Sequence, residues 1–468
     1  MSFNSSEFAI FLLVVVAAYH GLLRARSWRV RKAFLVVASY LFYLSWSPFF
    51  GLLLLGSTLV DFVVALRIES AATRGRRRTL LALSLGFNLG LLGFFKYGGF
   101  VAANTYPWFF AGDPPLLDLV LPIGISFYTF ESLSYTIDVY RGSRASRSLL
   151  DFSLFLSFFP HLVAGPIIRP RQLLPQLEVE PKVVGSEVEV CLARIAQGFL
   201  KKLILADGLG LYVDDVWHSA GGYPAGNVLL AFYAYAFQIY FDFSGYTDIA
   251  IGVAGLFGIR FPENFARPYL ASDVGDFWRR WHITLSTWLR DYLYIPLGGN
   301  RRGRTRTYVN LLVTMLLGGL WHGAAWNFVA WGAYHGALLA IHRVRSERAA
   351  FPAEHAGPET RVRTFVARFT TFHLVCLGWL VFRATSWSDF ERVLGGLLRP
   401  GFVDSRHATE ALALVAIGLT LHLAPDAARA RRAFAGLPPA VQGLVYAAVC
   451  VAAFLFAPGG ERFIYFQF

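Results

Sequence analysis

The chain has 468 residues, 56% hydrophobic and only 16% charged, with a formal net charge of +13 and a mean hydropathy of +0.48. Soluble proteins of this length carry far more charge, so the dominant solvent is a bilayer and an ordinary water-soluble protein is excluded. The basic excess would suit nucleic acid, but its placement beside apolar runs assigns it to membrane surfaces, and no nucleic-acid partner is expected.

A membrane helix needs about 20 mostly apolar residues. Such stretches fall near 8–23, 33–47, 50–66, 79–99, 116–136, 150–166, 192–212, 227–257, 307–320, 324–342, 364–387, 409–424 and 441–457. Several are too short to span comfortably and are candidates for re-entrant segments. The expected fold class is all-α, a polytopic integral membrane protein. It reads as a single domain over 1–468, with N-terminal spans in 1–140, a core in 150–345 and C-terminal spans in 360–468.

The first apolar run is followed by RARSWRVRK and no small-residue cleavage site, so it reads as a retained span. Arg24, Arg26, Arg29, Arg31 and Lys32 follow that span; Arg74, Arg76, Arg77 and Arg78 follow the third; Arg141, Arg144 and Arg147 follow the fifth. The intervening connections SWSPF and GGFVAANTYPWFFAGDPP lack Lys and Arg. That alternation places the N-terminus outside and the basic loops in the cytoplasm, where anionic lipid attracts them. Cys191, Cys376 and Cys450 have no metal or disulfide spacing and read as buried small hydrophobes.

The N-terminal third carries a few polar insertions, notably Asp61, Asn88 and Lys96. The next stretch, LLDFSLFLSFFPHLVAGPIIRPRQ, has basic flanks and is interrupted by Pro160, Gly165 and Pro166. Helix breakers at membrane depth are tolerated only where protein or a water-filled cavity satisfies the freed backbone, so this element reads as a cytoplasmic dip. Asp242 and Asp248 lie in the long apolar element 227–257. Six residues apart, they sit roughly 240° around a helix and do not share a face. Intramembrane acids either bond neighbouring helices or serve a function.

Residues 258–306 form the longest polar stretch; from Arg267 onward it carries eight Arg against three Asp, interleaved with aromatics. Such a sequence lies in the interface plane, and its arginines are also suited to an anionic substrate. From Thr307 through His342 there is then no Asp, Glu, Lys or Arg. As one helix this tract would be roughly 54 Å long, against a ~30 Å hydrocarbon core, so it must break. Gly318, Gly319 and Gly323 mark the expected place, which puts His322 at a chain discontinuity with Trp321, Trp326 and Trp331 around it. A neutral imidazole there has the chemistry of a general base, taking a proton from a hydroxyl and returning it to a leaving group. A metal role is disfavoured: His335 is 13 residues away, and no Cys or carboxylate is near. His20, His161, His218, His342, His355, His373, His407 and His422 read as hydrogen-bonded packing.

At these residues the sequence resembles the membrane-bound O-acyltransferase (MBOAT) family, in its bacterial alginate O-acetyltransferase-like branch. FWRRWHITLSTWLRDYLYIPLGGN at 277–300 and GGLWHGAAWNFVAWGAYHG at 318–336 carry the strongest likeness. LPIGISFYTFESLSYTIDVYRG at 121–142, SFFPHLVAGPIIRP at 157–170, QIYFDFSGYTDIAIG at 238–252 and the closing FIYFQF agree with it, so the likeness covers essentially the whole chain. The resemblance implies an MBOAT fold of about 11 spans with re-entrant and interfacial helices around a central funnel. It implies that His322 is the catalytic histidine, deep in a tunnel reachable from both faces, and that His282 is its upstream polar partner. His335 belongs to the same motif with a less definite role.

The function so implied is acetyl transfer from cytoplasmic acetyl-CoA, with no metal, to an extracytoplasmic polysaccharide such as an alginate-like exopolysaccharide, cellulose or peptidoglycan. A periplasmic esterase-like partner would complete the transfer, and the bacterial inner membrane is the location. Donor-binding candidates are Arg279, Arg280, Arg290, Arg301, Arg302, Arg304 and Trp321. The alternative is a membrane transporter using the intramembrane His and Asp residues; inverted repeats would favour it, and no convincing repeat is present.

Overall fold

The computed structural model describes residues 1–468 except 2, 4, 111, 113–118, 220–221, 350–360, 402–405, 425–426, 457–463 and 465–468. Among the described residues every regular element is helical. The helices gather into two compact units, one of residues 1–195 with 246–262 and one of residues 196–245 with 263–468.

In the first unit, α1 (Ser6–Ala17) is capped by Ser5, whose hydroxyl accepts from the Phe8 N–H. It is followed by α2 (Trp28–Leu44), α3 (Pro48–Ser70) and α4 (Arg74–Leu92), the last continued through a π-turn at Gly93–Tyr97. Then come α5 (Ile125–Tyr140) and α6 (Leu149–Ser157). The polar insertion Asp61 is fully buried on α3. It accepts from Ser84 (2.6 Å) and Asn88 (2.9 Å) of α4 and Ser132 (2.5 Å) of α5. A buried carboxylate is tolerated only when its lone pairs are used, and here they tie three helices together.

The expected interruption after α6 is present. The helix ends at Ser157, a short turn covers Phe159–Leu162, and the chain has no regular structure from there to Arg169. Protein groups satisfy the freed backbone, as buried irregular chain requires. The Phe159 N–H donates to Ser39 Oγ (3.1 Å) and the Ile168 N–H to Glu131 Oε1 (2.9 Å), which also lies 3.1 Å from His161 Nδ1.

The second unit takes residues 225–245 of α7 (Ala225–Leu256), then α8 (Val274–Arg280), α9 (Ile283–Leu289), α10 (Arg304–His322), α11 (Trp326–Ala349) and α12 (Arg361–Arg383). Its core is aromatic: Trp281 lies 4.8 Å and Trp331 5.9 Å from Trp379, ring to ring. The uncharged tract does break, at Gly323–Ala325, and α10 and α11 fold back as an antiparallel hairpin with arms of about 28 and 36 Å. Gly318 and Gly319 are not part of that break. Both lie inside α10, where Gly319 faces the Phe328 carbonyl and Gly332 of α11; a Cβ there would stand 3.1 Å from the Gly332 Cα. Small residues let two membrane helices approach backbone to backbone. That is the role of Gly319 here, while Gly318 faces the Leu289 side chain.

By length and composition, three of the described helices can cross a bilayer unaided: Pro48–Ser70, Arg74–Trp108 and Arg361–Arg383. A fourth is the bent pair His407–Leu423 with Ala427–Ala435. Other expected spans are interrupted or diluted by Gly, Asn and Thr, as in α10, so the count of about 11 rests on the resemblance. Of the cysteines, Cys376 is buried as expected, Cys191 is half-buried and Cys450 exposed.

Candidate active site

The site is built in the second unit. His322 is the last residue of α10 and only 6% exposed. Its ring stands edge-on to Trp331 (5.2 Å), Phe382 (5.3 Å) and Trp321 (5.1 Å), so aromatic faces fix it on three sides. On the remaining side it lines a cavity of about 350 Å³. The cavity's middle is apolar, with Leu285, Leu289, Met315 and Leu339, and its lining includes the exposed Arg279, Arg290 and Arg343. A small-molecule site has this make-up: concave, apolar, with few polar groups.

His282 is the link between α8 and α9 and is wholly buried. Its backbone is left-handed, φ 41° and ψ 55°, a region that costs a non-glycine residue roughly 1–2 kcal/mol. Asn264 holds it there: its carbonyl accepts from the Ile283 N–H (3.0 Å), and its Oδ1 accepts from the N–H and hydroxyl of Thr284 (3.1 and 2.9 Å). Strain that the surroundings over-determine is common where a side chain must be aimed. The imidazole stands perpendicular to Phe243 at 4.7 Å and 5.9 Å from the Trp321 ring, whose other neighbour is the His322 ring at 5.1 Å. Both histidines therefore flank Trp321.

His335 does not join them. It is fully buried in a box of Trp278, Trp331 and Tyr334, and a methyl on Gly378 would come 2.6 Å from its Nε2. Its part is packing. Trp321 is buried between the two histidines, and neither it nor His282 is in the cavity lining.

The six arginine candidates separate. Arg279 and Arg290 line the cavity; Arg279 lies 3.6 Å from Asp276, and Arg290 donates to Asp291 at 2.7 Å. Arg280 turns to Asp276 (2.9 Å), Arg304 lies 3.3 Å from Glu347, and neither they nor Arg301 and Arg302 are in the lining. Sequence reasoning missed Arg343 and the half-buried His342, which line the same cavity from α11. The hairpin itself was the available signal: residues that follow the uncharged tract must return beside those that precede it. Among the described residues no group of three or more His, Cys, Asp or Glu is placed to hold a metal ion.

A second cavity, about 510 Å³, lies at the other side of the hairpin tip, against Ala325, Asn327 and Phe328. Its lining includes the charged Lys202, Asp207, Asp214, Asp242, Arg383 and Asp389. Lys202 Nζ lies 2.7 Å from both Asp242 and Asp207, and Asp242 also accepts from the Ile464 N–H (2.9 Å). Ile464 is the one described residue of the closing FIYFQF. In the first unit Asp248 pairs with Arg194 at 2.9 Å. Both intramembrane acids of α7 are thus satisfied by a cation, which favours the structural reading over a proton relay.

Residues 116–354, a stretch holding His282, His322 and the hairpin, match the membrane-bound O-acyltransferase family. The chain belongs to that family. It is an acyltransferase, and its MBOAT core carries both histidines. A probable alginate O-acetylase AlgI from Pseudomonas putida is 43% identical over 408 residues, covering 86% of this chain and 81% of the relative. A second, from Pseudomonas aeruginosa, is 44% identical over 400 residues (84% and 74%). A peptidoglycan O-acetyltransferase from Helicobacter pylori is 36% identical over 424 residues, 84% of this chain and 79% of the relative.

Proposed function

We propose that this MBOAT is a membrane O-acetyltransferase that takes acetyl groups from cytoplasmic acetyl-CoA for O-acetylation of an extracytoplasmic polysaccharide. The observation that carries the reading is that the buried His322 lines the same cavity as the exposed Arg279, Arg290 and Arg343. Phosphates of the donor would lie at the arginines, which present planar donor forks. The thioester arm would run past Leu285, Leu289 and Met315 to the imidazole.

In the transfer itself, His322 takes the proton of the acceptor hydroxyl as that oxygen attacks the thioester carbonyl. The tetrahedral intermediate collapses with loss of the thiolate, and the imidazolium returns the proton to sulfur. His282, wholly buried against Trp321 and outside the cavity lining, helps orient the reactants by fixing Trp321 and, through it, His322. Fixed dipoles in a dry pocket do this without reorganising during the reaction. The acceptor would reach His322 from the opposite face, and the cavity lined by Ala325, Asn327 and Phe328 of the hairpin tip is the candidate route. The names of the relatives, which act on alginate or peptidoglycan, support a polysaccharide acceptor, reached through a periplasmic esterase-like partner. With the N-terminus outside and the basic loops inside, the enzyme sits in the bacterial inner membrane as about 11 spans.

Sidedness tests this. Labelled acetyl-CoA should be consumed by inverted vesicles, which expose the cytoplasmic face, and not by sealed right-side-out vesicles. Consumption confined to the right-side-out preparation would overturn the proposal.

A further inference from the structure

A separate cavity in the first unit, about 490 Å³, lies where α1 leaves the apolar region. Along α1 and the π-helical turn that continues it to Leu22, the large side chains Ile10 (63%), Leu13 (70%), Val14 (61%) and Leu22 (81%) are exposed, the mark of a lipid-facing surface in a membrane chain. Immediately after Leu22 the sequence turns basic, so this level is that of the headgroups. His20, Arg24 and Arg31 all line the cavity.

Arg31 is unusual for an interfacial arginine. Its side chain is only 9% exposed, and its guanidinium stands over the rings of Tyr19 (5.3 Å) and Trp28 (5.6 Å). Nη2 pairs with Glu180, whose side chain is 57% exposed, while Nε has no hydrogen-bond partner among the described residues. A buried donor without an acceptor is costly, and a guanidinium clamped on aromatic faces is pre-organised to hold an anion at the Nη group that now meets Glu180. His20 is fixed beside it by a 2.8 Å bond from Nε2 to the Leu256 carbonyl.

We propose that this cavity binds the phosphate of an anionic phospholipid headgroup, held by Arg31 and Arg24, with the acyl chains along the exposed face of α1. Glu180, paired with the guanidinium, moves aside for the phosphate. Its carboxylate is the competing anion, and its exposure lets it leave. The site is distinct from the acyl-transfer cavity and does not depend on the proposed reaction.

The test uses the purified full-length chain in neutral detergent micelles, titrated with phosphatidylglycerol, phosphatidylcholine or inorganic phosphate. Binding is read by native mass spectrometry. One phosphatidylglycerol should be retained in preference to phosphatidylcholine. Arg31→Gln should weaken that binding about tenfold, the scale of one charge-assisted hydrogen bond, and Arg24→Gln should weaken it by less. Glu180→Gln should tighten it several-fold, a gain that misfolding cannot produce. Equal retention of the two lipids, unchanged binding in Glu180→Gln, or binding of inorganic phosphate without the lipid would each overturn the assignment.

Discussion

Replacing Gly319 by Ala tests whether the hairpin positions the His322 imidazole proposed to act in the transfer. The added methyl would overlap the Phe328 carbonyl and come 3.1 Å from the Gly332 Cα and N, all backbone atoms that have no rotamer to yield. Restoring van der Waals contact requires the arms to part by about 1 Å, and overpacking of this kind costs roughly 1–3 kcal/mol. His322 lies three residues further along the same arm, and a displacement of about 1 Å at a reacting group costs on the order of 100-fold in rate. Gly86→Ala is the control: nothing lies within 4 Å of its Cβ position on α4. A helical Gly→Ala in open space is worth about 1 kcal/mol of added stability. The assay is acetyl-CoA turnover by matched amounts of detergent-purified protein, with a melting curve for each variant. The reasoning is refuted if Gly319→Ala keeps wild-type turnover and melts no lower.

Two further expectations follow from the site's geometry. Because His282 is held at positive φ, His282→Gly should be more stable than His282→Ala by about 1 kcal/mol, while both lose most turnover; a denaturant or thermal comparison of the pair, with activity, checks it. Arg279→Ala and Arg290→Ala should raise KM for acetyl-CoA up to about tenfold with little change in kcat. Arg301→Ala and Arg302→Ala should leave both constants alone; equal effects in all four would detach the cavity from donor binding.

Much of the site was legible because it followed from length. A 36-residue tract without charge cannot be one bilayer helix, and the discontinuity fell beside His322 as expected. What the sequence could not say was which glycines break the chain and which admit a neighbouring backbone. Gly319 and Gly323 look alike until Phe328 and Gly332 are seen opposite them. Arginine assignments were too inclusive for a similar reason. Charge density identifies a polar face, but Arg301 and Arg302 point out of the cavity while Arg343, far along the chain, points in. The strain at His282 left no sequence signal beyond the motif itself, since it is imposed by Asn264 from a distant loop. The cations of the α7 acids, Lys202 for Asp242 and Arg194 for Asp248, lie on preceding helical residues that periodicity within α7 cannot pair with them.

The most direct test is single-turnover acetyl transfer by His322→Ala in proteoliposomes, with acetyl-CoA binding measured on the same preparation. Binding should be unchanged while the chemical step slows by about 10²–10⁴-fold, the contribution of a positioned general base. Turnover at the wild-type rate, with the protein folded and the donor bound, would remove this imidazole from the reaction.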